Sequence, residues 1–270
     1  MIKIKCVHKK FNPGTINEVY ALKNINLSIK KGDFVTIIGT NGSGKSTLLN
    51  AIAGSFLPDQ GMISINGEDV TRKTASQRAK HIARVFQNPF QGTAPTMTIA
   101  ENLHLASLRG KSRLPLINFK KTELKHYQKL IIELEMSLEN RLDNVIGSLS
   151  GGQRQAITLL MAVMTKPQVL LLDEHTAALD PKTAAQIIKL TKKFISENNF
   201  TAVMVTHSMQ QALELGNRTI MMNKGEIIDD LDQNMKKRLT VNNLLDKFAD
   251  IRKAEQLTPE MLAQLKNEYM

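Results

Sequence analysis

The chain has no tryptophan, and only 4% of its 270 residues are aromatic. Rings on which nucleobases could stack are therefore scarce. Its one cysteine, Cys6, excludes an intrachain disulfide and fits a reducing compartment. No uninterrupted apolar run approaches the ~20 residues needed to cross a bilayer. The longest, Ile157 to Met164, is short and broken by Thr158. The opening MIKIKCVHKK alternates instead of placing a charged head before an apolar block, so no signal peptide is expected. Internal repeats and low-complexity linkers are lacking too. The expectation from these absences is a cytosolic protein.

What is present suits a folded domain. Hydrophobic residues make up 42% of the chain, enough for a sizeable core. The length fits one large domain, or one domain with an inserted subdomain and a tail. The net charge of +11 leaves three readings open: a nucleic-acid partner, an anionic membrane face, or a merely solvated basic surface.

Hydrophobic patterning divides the chain. Ile2, Ile4 and Cys6 alternate with Lys3 and Lys5, and Ile25, Leu27 and Ile29 alternate again, as half-exposed antiparallel strands do. The runs Phe34–Ile38, Ile82–Phe86, Val169–Leu172 and Thr201–Val205 are apolar nearly throughout, which predicts strands covered on both faces of a parallel sheet. Helical patterns follow several of them, so an α/β core is expected. Between Asn88 and Thr165 strand-like runs disappear, and Lys120 to Leu138 reads as a charged amphipathic helix with Leu124, Tyr127, Leu130, Ile131 and Leu134 on one face. Asn223-Lys224-Gly225 marks a hairpin. In the tail, Val241, Leu244, Leu245, Phe248 and Ile251 share a helical face, and Thr258-Pro259 is a helix start.

Chemistry enters at Gly39-Thr40-Asn41-Gly42-Ser43-Gly44-Lys45-Ser46-Thr47, which fits G-x-x-x-x-G-K-[ST] between a predicted strand and a predicted helix over Thr47–Ala53. Glycines let the backbone wrap around phosphates with several N–H groups turned inward, and the helix adds its positive end. Lys45 is expected to reach the β- and γ-phosphates and the Ser46 hydroxyl to ligate Mg²⁺. The strand Val169–Leu172 runs into Asp173 and Glu174. Asp173 is placed to hold Mg²⁺ through water, and Glu174 to polarise the attacking water. Acids at a strand end are common. Coupled to a phosphate cradle, the pair points to hydrolysis rather than to phosphate transfer onto a small molecule.

Leu149-Ser150-Gly151-Gly152-Gln153-Arg154-Gln155 resembles the signature motif of ABC-type ATPases. On its own it also reads as a helix start capped by Ser150 and running through Met161. The two readings coexist, because a capped helix start with free N–H groups is an anion site. The resemblance covers residues 1–230 and implies a P-loop NTPase (RecA-like) α/β core, an N-terminal antiparallel β subdomain and an α-helical subdomain inserted over 88–165. A short helical tail over 231–270 follows. It implies a head-to-tail dimer in which Ser150, Gly151, Gly152 and Gln153 face the ATP held by the partner's cradle. Gln87 matches the glutamine that senses Mg²⁺, and His207 the switch histidine that contacts the γ-phosphate. Asp180 matches the D-loop, although Asp180-Pro181 is equally a helix N-cap followed by proline at the first helical position. The adenine ring stacks in the family on an aromatic of the first sheet; Phe11 and Tyr20 are the candidates, and Phe11 fits the position better. His175 departs from the proline many relatives carry there, which is expected to loosen the turn without abolishing catalysis.

The same resemblance implies ATP and Mg²⁺, a separate integral membrane permease, a second ATPase subunit that is most simply another copy, and a location on the inner face of the cell membrane. If the protein is an importer, a substrate-binding protein joins them. Asn88 to Glu101, NPFQGTAPTMTIAE, lies where a permease helix docks. Its Gly-Thr-Ala-Pro wording resembles ATPases that accompany periplasmic-type binding proteins and permeases similar to those for branched-chain amino acids, so an amino acid or similar small organic solute is the expected cargo, with lipid or peptide export as the alternative. A nucleic-acid-handling ABC protein would carry a long coiled-coil insertion or two cassettes, and this chain has neither, so no nucleic-acid partner is expected. A regulatory subunit unable to hydrolyse is disfavoured because every catalytic position holds a competent residue.

Overall fold

The computed structural model describes residues 1–111 and 121–253. Strands β1 (Ile2–Phe11) and β2 (Val19–Ile29) open the chain, followed by β3 (Phe34–Gly39), α1 (Lys45–Ala53), β4 (Gln60–Ile65), β5 (Glu68–Asp69), α2 (Ala75–Arg78) and β6 (Ile82–Val85). A helical stretch follows, with α3 (Ile99–Ser107), α4 (Lys121–Ile132) and α5 (Gly151–Val163). The chain then returns through β7 (Val169–Asp173), α6 (Pro181–Asn198), β8 (Thr201–Val205), α7 (Met209–Glu214), β9 (Arg218–Asn223) and β10 (Glu226–Leu231), and ends in α8 (Gln233–Lys236) and α9 (Val241–Lys253).

Two sheets carry the site. One is antiparallel, in the order β2-β1-β4-β5. The other runs β10-β9-β3-β8-β7-β6 and is parallel except where the β9–β10 hairpin turns back. That hairpin turns on Lys224 and Gly225, both at positive φ (44° and 85°), the geometry a two-residue turn needs to match strand twist.

Side-chain alternation splits the central strands between two cores. Val169 and Leu171 of β7, with Val203 and Val205 of β8, pack with α1 and the first sheet. Leu170, Leu172, Ala202 and Met204 pack instead with α5 and α6. Strands covered on both faces have few polar positions, which is why these runs read as nearly continuous hydrophobics. Arg78, fully buried, donates to the carbonyls of Ala51 (2.7 Å) and Ile52 (2.8 Å) and so closes the C-terminal end of α1 with a charge of the favourable sign. Burial lowers its pKa to about 10, so it stays protonated at neutral pH.

Several expectations are corrected in detail. Cys6 does not share the inner face with Ile2 and Ile4. The strand bulges between Ile4 and Val7, Cys6 takes a positive φ of 45° and is exposed, and Val7 fills the core position instead. Strand β6 stops at Val85, one residue before Phe86, whereas β3 and β7 each gain a residue, Gly39 and Asp173. Helix α1 begins at Lys45 rather than Thr47, and α5 reaches Val163. Helix α4 ends at Ile132, well before Leu138, because Glu135 and Ser137 turn the chain at positive φ. Strands β4 and β5 were not legible as strands at all. The apolar face of α9 holds where it is described: Leu244 and Phe248 are buried against Met209, Ala212 and Met221. Thr258-Pro259 lies outside the described residues.

Candidate functional site

The cradle joins β3 to α1. Gly44 occupies the N-cap of α1 at φ 97°, and a Cβ there would meet the Ala21 carbonyl oxygen at 2.6 Å, so only glycine fits. Lys45 turns back over the loop and donates to the carbonyls of Gly39 (2.8 Å) and Thr40 (3.0 Å). Asn41 and Gly42 are exposed at the rim, Thr47 is half-buried, and the Gly225 N–H fixes Ser43 through its carbonyl at 3.0 Å. The buried Ser43 hydroxyl has no hydrogen-bond partner among the described residues. An orphaned hydroxyl beside a glycine-rich turn and a helix start fits an anion as its partner.

Alternation explains the second half of the site. Asp173 continues the Val169–Leu171 face of β7 and so points toward α1, where the Ser46 hydroxyl donates to its Oδ1 at 3.3 Å. Among the described residues no group of three or more acidic, His or Cys side chains could cage a metal. One hydroxyl and one carboxylate suit Mg²⁺, which keeps most of its shell as water and phosphate oxygen. Glu174 leaves the strand at φ 46°, a left-handed conformation rare for this residue type, and its N–H bonds the Val205 carbonyl at 3.0 Å. The turn swings its carboxylate to the His207 Nε2, 2.6 Å away. That hydrogen bond, with the charges of His207 and Lys45, holds the Glu174 carboxyl below the usual carboxylate range, against a smaller opposing push from burial. An ionised carboxylate is the form that can accept a proton from water.

The remaining residues are placed as follows. Gln87 is exposed just past the end of β6. Ser150 caps α5, its hydroxyl accepting from the Gln153 N–H at 3.3 Å, while the Gln153 side chain accepts from the Ser150 N–H at 3.3 Å. Gly151 is exposed; Gly152 is buried against Thr183 of α6. Asp180 caps α6 by accepting from the Thr183 N–H at 3.1 Å. Phe11 is half-buried and meets Phe56 edge-on, with ring centroids 5.3 Å apart. The Tyr20 hydroxyl is bonded to the His8 ring. The structure thus brings Ser46 to Asp173 and Glu174 to His207, while the bonds of Ser150 and Asp180 stay within their own helix starts.

His175 does not loosen its turn. The ring is fully buried, with Nε2 3.0 Å from the Thr191 hydroxyl of α6. That hydroxyl gives its proton to the Ile187 carbonyl, so Nε2 must carry the imidazole proton. Burial lowers the His175 pKa to about 4, and the ring is neutral at pH 7.

Arg84 escaped the sequence reading, as did the bonds made by Arg154 and Gln155 of the signature motif. Arg84 bonds Asp173 and Asn50, Gln155 reaches the Phe86 carbonyl at 3.3 Å, and Arg154 ties the turn before α5 to the helix through the carbonyls of Gly147 and Leu149. A lone charge in the apolar run Ile82-Ala83-Arg84-Val85 was the signal for the first.

A strand–loop–helix cradle facing a strand-end Asp-Glu pair defines a P-loop ATPase. The chain belongs to the ABC transporter family, whose model matches residues 22–177, and it is an ATP-binding ATPase of that family. It is 44% identical over 254 residues to a tyrosine transport ATP-binding protein of Clostridioides difficile, covering 92% of this chain and 98% of that relative. It is also 36% identical over 226 residues to a sulfate/thiosulfate import ATP-binding protein of Bradyrhizobium diazoefficiens, covering 84% of this chain and 62% of that one. Among solved structures, a dimeric bacterial ABC transporter cassette superposes with a TM-score of 0.75 at 34% identity, covering 86% of this chain and 99% of the cassette. The post-hydrolysis state of an ATP-binding cassette bound to ADP and Pi superposes with a TM-score of 0.72 at 32% identity, with the same coverage.

Proposed function

We propose that this chain energises a separate membrane permease that imports an amino acid or a similar small organic solute. The observation that carries the hydrolytic half is the Glu174 carboxylate, held ionised 2.6 Å from His207 Nε2 and within the field of Lys45. Lys45, Ser43 and the N-terminus of α1 hold the phosphates of ATP, with Phe11 against the adenine. Ser46 and Asp173 hold Mg²⁺, with Gln87 at its edge. Bound there, the ion offsets charge on the leaving phosphate oxygens. Glu174 orients and deprotonates the attacking water, and His207 contacts the γ-phosphate. Ser150, Gly151, Gly152, Gln153 and Asp180 complete the site of a second subunit in a head-to-tail homodimer. Residues 1–230 form the ATPase unit with its helical insertion over 88–165, and 231–270 the tail.

No helix among the described residues is long and apolar enough to cross a membrane, so the subunit would attach to the cytoplasmic face through its permease, with a substrate-binding protein delivering the solute. The tyrosine transport relative makes an aromatic amino acid the first cargo to try. Glu174→Gln tests the mechanism: it should cut phosphate release at least a hundredfold and yield a dimer that appears only with ATP. Normal turnover in that variant would remove Glu174 from its role. For the cargo, hydrolysis by the assembled transporter in vesicles should rise when tyrosine and its binding protein are added; the same rise with sulfate and none with tyrosine would overturn the assignment.

A further inference from the structure

We propose that Arg84 is a positioning residue of the cation site, whose guanidinium neutralises Asp173 until nucleotide brings the divalent ion. The proposal rests on Asp173 and Ser46 being the ion's protein ligands. Arg84 lies in β6 on the same face as Ile82, which packs toward α1. From there Nη2 donates to Asp173 Oδ2 at 2.5 Å and Nη1 to Asn50 Oδ1, also at 2.5 Å. The guanidinium carbon lies 4.6 Å from the centre of the Phe86 ring. Three partners therefore fix it in place.

The Asp173 carboxylate is divided by this arrangement. Oδ2 belongs to Arg84, while Oδ1 faces the Ser46 hydroxyl. The side chains of Arg84 and Asp173 are only 15% and 12% exposed, so solvent screens little of the charge between them. A divalent cation at Oδ1 would sit a few ångströms from a fixed positive charge, with Lys45 a second one across the cradle. Free cation is repelled by that pair. Cation arriving on a triphosphate is not, because the phosphates carry the compensating charge. Arg84 thereby makes the site answer to the metal–nucleotide complex rather than to the metal.

A simpler role as a staple between β6, β7 and α1 predicts the opposite sign. Cutting a staple loosens the carboxylate and weakens the ion; removing a counter-charge tightens it. Mn²⁺ binding to the full-length protein, followed by electron paramagnetic resonance with and without ADP, separates the two. Arg84→Met, and Arg84→Gln should the first fail to fold, are expected to bind Mn²⁺ about tenfold tighter than wild type without nucleotide. The Mg²⁺ concentration for half-maximal hydrolysis should fall in step. Arg84→Lys loses the fork but keeps the positive charge, and should stay within about twofold of wild type. Unchanged or weaker Mn²⁺ affinity in a folded Arg84→Met protein overturns the proposal. Asp173→Asn tells the two levels apart. If it holds Mn²⁺ with ADP as wild type does, the ligand assignment falls and the proposal with it. If it is weakened while Arg84→Met is not tightened, only the role of Arg84 falls.

Discussion

The cradle face and the start of α5 are built from opposite kinds of bond. At the cradle, partners are distant in sequence: Ser46 and Asp173 are 127 positions apart, and Arg84 and Asp173 are 89 apart. The loop itself closes locally, through Lys45 and the carbonyls of Gly39 and Thr40, but these longer bonds form only when β3, β6 and β7 lie in one sheet. At the start of α5, Ser150 and Gln153 bond each other three residues apart, and Arg154 bonds the turn immediately before. The first region, the proposed hydrolytic half-site, is assembled by tertiary structure within one chain. The second is a local helix start, capped by its own residues, with Ser150 and Gly151 exposed. In the proposed head-to-tail dimer that exposed end would face a second subunit's nucleotide.

His175 belongs to the first kind, since its bond to Thr191 joins the turn after β7 to α6. It should show the largest effect on stability. The folded ring has a pKa of about 4 against 6.5 unfolded. Because the folded value is depressed, the unfolded chain binds more protons between these values. The stabilisation is therefore complete above pH 6.5 and is lost as pH falls toward 4, by roughly 3 kcal/mol. Denaturant unfolding of wild type and His175→Leu at pH 7 and pH 5 measures it. Identical pH responses in the two proteins would break the claim that this ring is a buried tertiary partner.

The comparison also explains what was legible in the sequence. The cradle, the Asp173-Glu174 pair and the caps at Ser150 and Asp180 are contiguous motifs, and each local geometry follows from neighbouring residues. The continuous hydrophobic runs foretold the parallel sheet because both faces of each strand are covered. The bond between Arg84 and Asp173 depends on which strands are neighbours, information that no window of sequence holds. Strand β4 begins with the exposed Gln60 and Gly61 and ends in three buried residues, so neither period-two alternation nor a continuous apolar run registers. Cys6 went astray because one bulge inverts the alternation behind it.

The two adjacent signature glycines sharpen the contrast next. A Cβ on Gly152 would lie 2.1 Å from Thr183 Cγ2, inside the α5–α6 contact, whereas a Cβ on Gly151 would meet only Leu179 Cδ2 at 3.8 Å. Gly152→Ala should therefore cost about 2 kcal/mol as α6 is forced back. Gly151→Ala should change stability by less than about 0.5 kcal/mol, as surface substitutions do. If the outward face receives a partner's phosphate, Gly151→Ala should nonetheless slow ATP-dependent dimerisation. Thermal melts beside light scattering with ATP read both quantities. Equal destabilisation by the two changes would show that the helix start is not split into an inner packing side and an outer binding side.

Ser150 gives the cleanest division of roles. Its hydroxyl caps α5, so Ser150→Ala should cost about 1 kcal/mol. Aspartate caps as well as serine does, and its charge favours a helix N-terminus. Ser150→Asp should therefore melt within a few tenths of a kcal/mol of wild type. A carboxylate at that point repels a triphosphate, however, so the same variant should lose ATP-dependent dimerisation while still binding ATP at its own cradle. Fluorescent-nucleotide binding and sedimentation on one preparation separate these outcomes. If Ser150→Asp dimerises normally with ATP, Ser150 is a cap and nothing more, and the outward-facing end of α5 has no anion to meet.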